Sequence, residues 1–327
     1  MSKILRVGDP HIKISNLEES NRLINFIIQV AMDYNVDRVE FMGDMFHTHA
    51  VIRMEVLEFW RRAFTQMTNA GLSVLTLVGN HDQPGSREKE SEMSSLSVFK
   101  DIIDVIDKPI IYDNIAYIPY MSDRERFLRE AQKLYDREAK ELLIAHQTFT
   151  GATYENGFYA EDGIDPALVP QKHIVSGHIH KQQEIGKCFY LGTPKWDTMS
   201  DANENKGIWL YEHNKDGSVK SKEFISTESV VTPIKKYVVY EGEEVPELSS
   251  NARNYLEFHG KTAWISKMKS KYKGLASIKA KPVDRKIGSI DKDKKISLFD
   301  FLNDHFVPID GVKKQDINEY LKTVTYE

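Results

Sequence analysis

The chain has 327 residues, of which 41% are hydrophobic and 28% charged, a composition that suits one large globular domain with a smaller one appended. Its net charge of −5 gives no overall indication of nucleic-acid binding, so any such charge must be local. No signal peptide and no stretch of roughly 20 apolar residues is present, and Cys188 is the only cysteine, so we expect a cytoplasmic protein outside the membrane.

Strands and helices alternate through the first two hundred residues. Short apolar runs predict strands at residues 4–7, 38–42, 72–78, 110–112, 115–118, 142–145 and 173–176. Apolar residues at helical spacing predict helices around residues 23–31 and 56–67, and a solvated helix over 123–139. This alternation predicts an α/β layered fold whose loops at the strand ends carry the chemistry.

The character of the chain changes after about residue 207. Strands are predicted at 208–211, 221–225 and 234–240. The acidic stretch 241–247 is predicted to form a linker or an exposed loop. Residues 261–295 hold twelve lysines and arginines against three aspartates, a local charge of +9. Two amphipathic helical patterns, 298–306 and 317–324, end the chain. We therefore predict domains at residues 1–235, 236–295 and 296–327.

Polar side chains that can bind metals follow five of the predicted strands. In chain order these residues are Asp9, His11, Asp44, His47, Asn80, His81, Asp82, His146, His178 and His180. Each group taken alone has an ordinary interpretation, as a turn, a solvated histidine or a structural histidine. Their recurrence at successive strand ends instead predicts convergence on one edge of the fold, which is what a metal site requires.

Carboxylate, amide and imidazole ligands together suit a pair of divalent ions such as Mn²⁺, Fe²⁺ or Zn²⁺. Two such ions can clamp a phosphate, lower the pKa of a bridging water and stabilise the leaving oxygen. Asp44 is the natural carboxylate to bridge them. The glycines that precede Asp44, Asn80 and His178 allow the tight turns that bring the ligands close.

The motif order Asp-x-His, Gly-Asp, Gly-Asn-His-Asp, His and Gly-His-x-His resembles the calcineurin-like metallophosphoesterase superfamily. Within it, the segment 43–47 and the later Gly192-Thr193-Pro194 resemble the SbcD nuclease family, partners of SbcC-type ATPases, and the compact size resembles bacteriophage members. The resemblance covers residues 1 to about 200. It implies a sandwich of β-sheets flanked by helices, with a smaller C-terminal α+β region that caps the site or binds DNA, and terminal helices.

The resemblance also implies a role for each site residue. The first metal would be held by Asp9, His11, Asp44 and His180. The second would be held by Asp44, Asn80, His146 and His178. His81 would be the catalytic histidine, which protonates the leaving 3′ oxygen or stabilises charge on the phosphate.

Four further residues are interpreted beside that set. Asp82 either orients His81 or caps the following turn, and His47 would lie near the scissile phosphate. His49 matches no motif and is expected to be solvated or structural, as is His173. Family members often carry serine where this chain has threonine in Gly-Thr-Pro, a change that should preserve the turn.

By this resemblance the chain would be a nuclease with 3′–5′ exonuclease and endonuclease activity in DNA recombination, repair or end processing. It would prefer Mn²⁺, with Mg²⁺, Fe²⁺ and Zn²⁺ as alternatives. Its partners would be DNA, an SbcC-like ATPase bound through residues 296–327, and a second copy of the chain within a heterotetramer. For a phage protein, the compartment would be the host cytoplasm.

Several alternatives remain open at this point. The chain could be a small-molecule or cyclic-nucleotide phosphodiesterase of the same superfamily, or a scaffold subunit with weak nuclease activity. Met45-Phe46-His47 and Asp82 depart from the protein phosphatase motifs and argue against that class. The basic residues 261–295, with Trp264 and Tyr272, would bind DNA or form a solvated surface. The terminal helices would bind the ATPase or cap the core, and the apolar stripe 51–67 would form a dimer surface or pack in the core.

Overall fold

The computed structural model describes residues 2–49, 51–84 and 93–284. The strands in these residues, numbered in chain order, are β1 (Ser2–Val7), β2 (Arg38–Phe41), β3 (Ser73–Leu77), β4 (Asp104–Ile106), β5 (Ile110–Tyr112), β6 (Ile115–Ile118), β7 (Leu142–His146), β8 (His173–Gly177), β9 (Gln183–Ile185), β10 (Cys188–Tyr190), β11 (Gly207–His213), β12 (Val219–Ser226), β13 (Ile234–Tyr240), β14 (Arg253–Gly260) and β15 (Ser277–Pro282). The α-helices are α1 (Leu17–Asp33), α2 (Met54–Asn69), α3 (Arg124–Asp136) and α4 (Thr262–Lys271), and 3-10 helices cover Ile14–Asn16, Ser95–Phe99, Pro166–Leu168 and Met199–Asp201.

Two large mixed sheets form the body of the protein. The first sheet has the order β12-β11-β1-β2-β3-β4, and the second has the order β5-β6-β7-β8-β10-β9. Strands β1 to β4 run parallel because α1 and α2 cross over between successive strands. In the second sheet β6, β7, β8 and β10 are parallel, while β5 and β9 are antiparallel to their neighbours. Ends of strands from both sheets can therefore meet at one rim.

The helices cover the outer faces of the two sheets. Along β1, Leu5 and Val7 pack in the cluster that includes α1 and α2, whereas Ile4 packs between the sheets with Tyr117 and Ile144. This is the period-2 alternation of a strand that is buried on both faces. Helix α3 packs through its buried residues on the outer face of the second sheet. The predicted fold class, α/β with sheets flanked by helices, is confirmed.

A buried ionic network joins the two sheets. The Glu40 carboxylate accepts hydrogen bonds from Arg6 Nε and Arg38 Nε, both at 2.8 Å, and from the Tyr117 hydroxyl at 2.6 Å. Arg6 and Glu40 are fully buried in the first sheet, and Tyr117 reaches them from β6 of the second. Each charge therefore has an opposite charge beside it, which a buried ion requires.

The apolar stripe on α2 belongs to the core. Its buried residues are Val56, Phe59, Trp60, Ala63, Phe64 and Met67. They pack against β1, β2 and β3 in the same cluster as α1, which confirms the core-packing interpretation for residues 56–67. Val51 and Met54, earlier in the predicted stripe, are exposed. In the described part of the chain, no helix has both the length and the apolarity needed to cross a bilayer.

The C-terminal sheet is smaller and parallel, with the order β13-β14-β15. Helix α4 packs beside it through Ile265 and Trp264, against Phe258 of β14. Residues 241–252 form the exposed connection between β13 and β14, as the acidic composition predicts. Because β13 begins at Ile234, this sheet starts two residues before the predicted domain boundary. The terminal helices and residues 285–295 of the basic segment lie outside the described residues.

Candidate metal centre

The residues predicted from the sequence lie at the carboxyl ends of parallel strands. Asp9 follows β1, Asp44 follows β2 and Asn80 follows β3, all in the first sheet. His146 is the last residue of β7, and His178 follows β8 in the second sheet. The carboxyl ends of parallel strands share an edge, so these five loops are brought to one place by the topology.

The close approach of these loops requires unusual backbone conformations. His11, Asp44 and His178 have positive φ angles of 42°, 51° and 82°. A Cβ at Gly79 would lie 2.2 Å from Asp44 Oδ1 and 2.9 Å from His146 Cε1. Strained backbone of this kind is typical of functional sites, where the surrounding structure holds it in place.

One group of side chains surrounds His11. Its Nε2 atom lies 2.9 Å from His180 Nε2 and 3.5 Å from Asp44 Oδ2. His180 is held by Glu155, whose Oε1 accepts a hydrogen bond from the His180 backbone N–H at 2.8 Å. Asp9 lies at the junction with the other group, because its Oδ2 accepts from the His178 backbone N–H at 2.9 Å. The residues predicted for the first metal are thus brought together.

The other group surrounds His146. Its Nε2 atom lies 3.3 Å from Asp44 Oδ1 and 3.1 Å from Asn80 Oδ1. The same Asn80 oxygen lies 2.7 Å from His178 Nδ1. Asp44 therefore presents one oxygen to each group, which is the position of a bridging carboxylate. The residues predicted for the second metal are also brought together.

The side chains present fit a pair of divalent ions. His11, Asp44 and His81 have ligand atoms within 4.8 Å of one another, and so do Asp44, His146 and His178. Among the described residues, the buried atoms Asp9 Oδ1 and His11 Nδ1 have no hydrogen-bond partner. A buried polar atom without a partner is costly, and metal coordination would satisfy it. Mixed oxygen and imidazole donors match ions of intermediate hardness.

Burial and neighbouring charges set the protonation of the group. Although burial opposes ionisation, His146 and His11 hold the pKa of Asp44 well below its usual range. Burial lowers the pKa of His178 to about 3, with the charge of His146 adding to the effect. Burial alone would lower the pKa of His146, but Asp44 and Asp9 raise it to about 9. An ionised Asp44 and a neutral His178 are the forms that bind a cation.

Two residues predicted to be catalytic lie at the rim of this centre. The His81 ring is 4.7 Å from the His11 ring, and its Nδ1 lies 2.8 Å from the His47 carbonyl oxygen. Since a carbonyl only accepts, His81 Nδ1 donates this hydrogen bond and carries a proton. The His47 side chain is exposed, with its ring 5.8 Å from that of His11.

Asp82 is buried beneath the loops. Its Oδ1 accepts from the backbone N–H groups of Met45 at 2.9 Å and Phe46 at 3.3 Å, and its Oδ2 accepts from Gly79 at 2.9 Å. These bonds tie the loop after β3 to the loop after β2. They favour a structural role for Asp82 over direct orientation of His81, whose ring is held by the His47 carbonyl.

Several residues at the centre carry no recognisable motif in the sequence. His49 stacks on His81 with ring centroids 3.9 Å apart, so it belongs to the site, whereas His173 is exposed at the start of β8. The Tyr120 ring stacks on His178 at 5.8 Å. Only the spacing His47-x-His49 could have indicated one of these residues beforehand.

Two lysines also lie beside the centre. Lys195 is buried, and its Nζ is 3.5 Å from Asp197 Oδ1, while Lys13 Nζ is 2.7 Å from Asp197 Oδ2. Partial loss of solvent around the His47 ring and the charge of Lys13 lower the pKa of His47. The threonine of Gly-Thr-Pro preserves the turn before Lys195, because its hydroxyl donates to the Lys195 carbonyl at 3.0 Å.

Comparisons with known proteins identify several similar chains. Exonuclease subunit 1 of Enterobacteria phage T4 is 27% identical over 222 residues, which cover 64% of this chain and 64% of that protein. The chain therefore spans a little under two thirds of the T4 protein's length. Among solved structures, GAP50, the anchor in the inner membrane complex of Plasmodium, has a TM-score of 0.44 at 11% identity, covering 70% of this chain and 85% of its own.

A second solved structure, the phosphoesterase Yfce from E. coli, has a TM-score of 0.30 at 11% identity and covers 68% of this chain and 98% of its own. The family model for calcineurin-like phosphoesterases matches residues 2–182, which contain each predicted metal ligand from Asp9 to His180. A match to this family model supports the conclusion that the chain is a metal-dependent phosphoester hydrolase. The chain belongs to the calcineurin-like phosphoesterase family.

Proposed function

We propose that this chain is a two-metal DNA nuclease, with 3′–5′ exonuclease and endonuclease activity, and the nuclease subunit of an SbcCD-like complex in recombination, repair or end processing. The observation that carries the proposal is the position of Asp44 between His11 and His146, with one oxygen toward each. Similarity to a phage exonuclease subunit supports DNA as the substrate.

The proposed chemistry assigns a task to each part of the centre. Two divalent ions, Mn²⁺ by preference with Mg²⁺, Fe²⁺ or Zn²⁺ as alternatives, would neutralise charge on the phosphate and supply an activated water. Because His81 Nδ1 donates to the His47 carbonyl, the imidazolium form of His81 would use its Nε2 proton to protonate the leaving 3′ oxygen or stabilise its charge. Lys13 and Lys195 add positive charge beside His47, where the scissile phosphate would lie.

The C-terminal sheet supplies a second region for DNA contact. A cavity of about 700 Å³ lies between it and the body, and its lining includes Glu155 of the centre together with Lys236, Tyr255 and Lys279. Lysines here and on α4 would contact backbone phosphates on either side of the cut, with Tyr255 packed among them. We also propose that the chain is divided into three domains, at residues 1–235, 236–295 and 296–327.

The proposed protein partners are an ATPase and a second copy of the chain. An SbcC-like ATPase would bind residues 296–327, whose sequence predicts amphipathic helices of the kind recognised in a groove. Two copies of the chain would assemble with it as a heterotetramer in the cytoplasm, that of the host cell for a phage protein.

The test compares substrates and variants of the full chain. The wild type with Mn²⁺ is assayed on linear duplex DNA, a phosphopeptide and a cyclic dinucleotide. We expect cleavage of DNA, and a loss of at least 100-fold with Asp44→Asn because the carboxylate shared by both groups is removed. Asp104→Asn is the matched control, since this exposed aspartate begins β4, at the amino ends of the parallel strands.

Two outcomes would contradict the proposal. Turnover of the cyclic dinucleotide or the phosphopeptide equal to that of DNA would replace the nuclease with another phosphoesterase. Equal DNA cleavage by Asp44→Asn and Asp104→Asn would show that the metal centre does not perform the reaction.

A further inference from the structure

A second pocket lies directly beside the metal centre. Its volume is about 680 Å³, and its lining includes Tyr120, Tyr154, Phe158, Tyr159 and Gln147. Tyr120 stacks on the candidate ligand His178, with an angle of 27° between the rings. Gln147 directly follows His146 in the chain. The pocket therefore adjoins the His146 group through Tyr120 and Gln147.

The aromatic side of this pocket is an ordered hairpin, residues 153–159. Thr153 and Tyr159 form an antiparallel bridge, and the Tyr154 and Phe158 backbones are joined by a 2.9 Å hydrogen bond from Tyr154 N–H to the Phe158 carbonyl. Glu155 anchors the hairpin to the centre through its hydrogen bond with the backbone N–H of His180. The hairpin thus connects the centre to the pocket.

Two large aromatic side chains of the hairpin are exposed. Phe158 is 71% exposed and Tyr159 is 70% exposed, although the backbone that carries them is hydrogen-bonded. A hydrogen-bonded segment that exposes two large aromatic side chains beside a reaction centre is typical of a binding surface. Flat rings that stack on an aromatic side chain are the ligands that such a surface suits best.

The charges around the pocket favour a neutral ring over a phosphate. Its lining includes two carboxylates, Glu161 and Asp162, and one arginine, Arg124. The carboxylates would repel a phosphate, but they leave a nucleobase free to stack and to donate hydrogen bonds from its amino groups. In duplex DNA each base is already stacked and paired, so only an unpaired base could enter.

We infer that the pocket binds an unpaired nucleobase next to the scissile phosphate, stacked on Phe158 and Tyr159. This inference rests on the proposed function and makes it more specific: the strand is cut where its bases are unpaired, as at a frayed end or in single-stranded DNA. Stacking of bases on aromatic side chains is largely independent of sequence, so the site would select strand state rather than base identity.

The test uses the double variant Phe158→Ala/Tyr159→Ala in the full chain with Mn²⁺. On a single-stranded oligonucleotide we expect its KM to rise roughly 5- to 150-fold, the range that one base–aromatic stack supplies. Hydrolysis of an oligonucleotide made entirely of abasic residues, which has phosphodiesters but no ring to stack, should be unchanged. Phe158→Trp should retain wild-type KM, and Tyr34→Ala is the control for loss of an exposed aromatic residue elsewhere, at the end of α1.

A second measurement probes the base rather than the protein. Abasic sites are placed one at a time along the oligonucleotide. Cleavage by the wild type should fall at the positions that put the abasic site next to the cut, whereas the double variant should be indifferent to them. This comparison decides the inference even if the double variant folds poorly, because the loss on the abasic substrate is measured with wild-type protein.

The outcomes separate this inference from the proposed function. If the wild type cuts DNA but tolerates every abasic position, or if the double variant keeps the wild-type KM, the base pocket is wrong and the nuclease stands. If the wild type hydrolyses bis(p-nitrophenyl) phosphate but no DNA, both proposals fail.

Discussion

One oxygen of Asp44 illustrates how closely the loops at the centre pack. Asp44 Oδ1 accepts a hydrogen bond from the His81 backbone N–H at 2.8 Å and lies 3.3 Å from His146 Nε2. The Asp44 backbone and side chain leave no room for a side chain at Gly79. The position of the Asp44 carboxylate therefore depends on the lack of a side chain at Gly79 as well as on charge.

Replacement of Gly79 by alanine should damage the centre. The new Cβ would lie 2.2 Å from Asp44 Oδ1 and 2.4 Å from Asp44 N, and backbone must move to relieve this overlap. We expect at least a 10-fold loss of phosphodiesterase activity and about 1–3 kcal/mol lower stability, measured by bis(p-nitrophenyl) phosphate hydrolysis and urea unfolding.

Gly71→Ala is the matched control. A Cβ there meets nothing within 4 Å, although its φ of +83° adds strain of about 1 kcal/mol or more. This variant should lose stability but keep its activity per folded molecule. Full activity in Gly79→Ala would mean that the loops are looser than their packing indicates.

At the scale of an element, β14 carries a charged side chain, Glu257, that contacts side chains of both neighbouring strands. Glu257 lies 3.0 Å from Lys236 of β13 and 2.8 Å from His259 Nε2 of its own strand. Lys279 of β15 approaches to 3.8 Å. Without Glu257, the ammonium groups of Lys236 and Lys279, on the two strands that flank β14, would have no carboxylate between them.

This arrangement predicts a pH dependence of stability. Hydrogen bonds from Lys236 and His259 lower the pKa of Glu257 to about 2 from its ordinary value of 4.5. Because the folded pKa is depressed, the stabilisation is fully present above about pH 4.5 and is lost as pH falls toward 2. Glu257→Gln should be less stable than wild type at pH 7, and the difference should shrink as pH falls through this window.

Urea unfolding midpoints at pH 7, 4 and 3 would measure that difference. Glu125→Gln is the control, because Glu125 is an exposed residue in the first turn of α3 whose side chain lies 3.6 Å from Arg129. A constant difference between wild type and Glu257→Gln at every pH would contradict the prediction.

At the scale of the whole molecule, the centre joins the two sheets. Asp9, Asp44 and Asn80 extend from the first sheet, and His146 and His178 extend from the second. Ions held between them would link both halves of the sandwich, and a ligand that binds only the folded state stabilises it by mass action.

Metal should therefore raise the thermal midpoint of unfolding. With Mn²⁺ at 100 times its Kd we expect about 2.7 kcal/mol of stabilisation, an increase of several degrees that EDTA reverses. Differential scanning calorimetry would measure it. Asp44→Asn should remove most of the increase and His173→Gln, at the opposite end of β8, should leave it intact. An equal increase in both variants would place the metal elsewhere.

The fold and most of the metal centre could be predicted because the sequence patterns that indicate them lie within short segments of the chain. An apolar run followed by a polar turn marks β1, β2 and β3 and also places Asp9, Asp44 and Asn80 at strand ends. The strands β9 and β10 are three residues long, and they form because β10 pairs with β8 and β9 pairs with β10, so their own sequences carry too little periodicity. Helix α4 buries Ile265 alone among its residues and was not predicted either.

The α/β alternation and the set of side chains able to bind metal could be predicted from the amino-acid sequence, because strand periodicity and motif spacing are properties of neighbouring residues. The folded chain was needed to show that Tyr120 stacks on His178, that Glu155 holds His180 and that the hairpin 153–159 presents Phe158 beside the centre. These contacts join loops that follow different strands of the second sheet, and no local pattern encodes a distance that arises when those strands pair side by side.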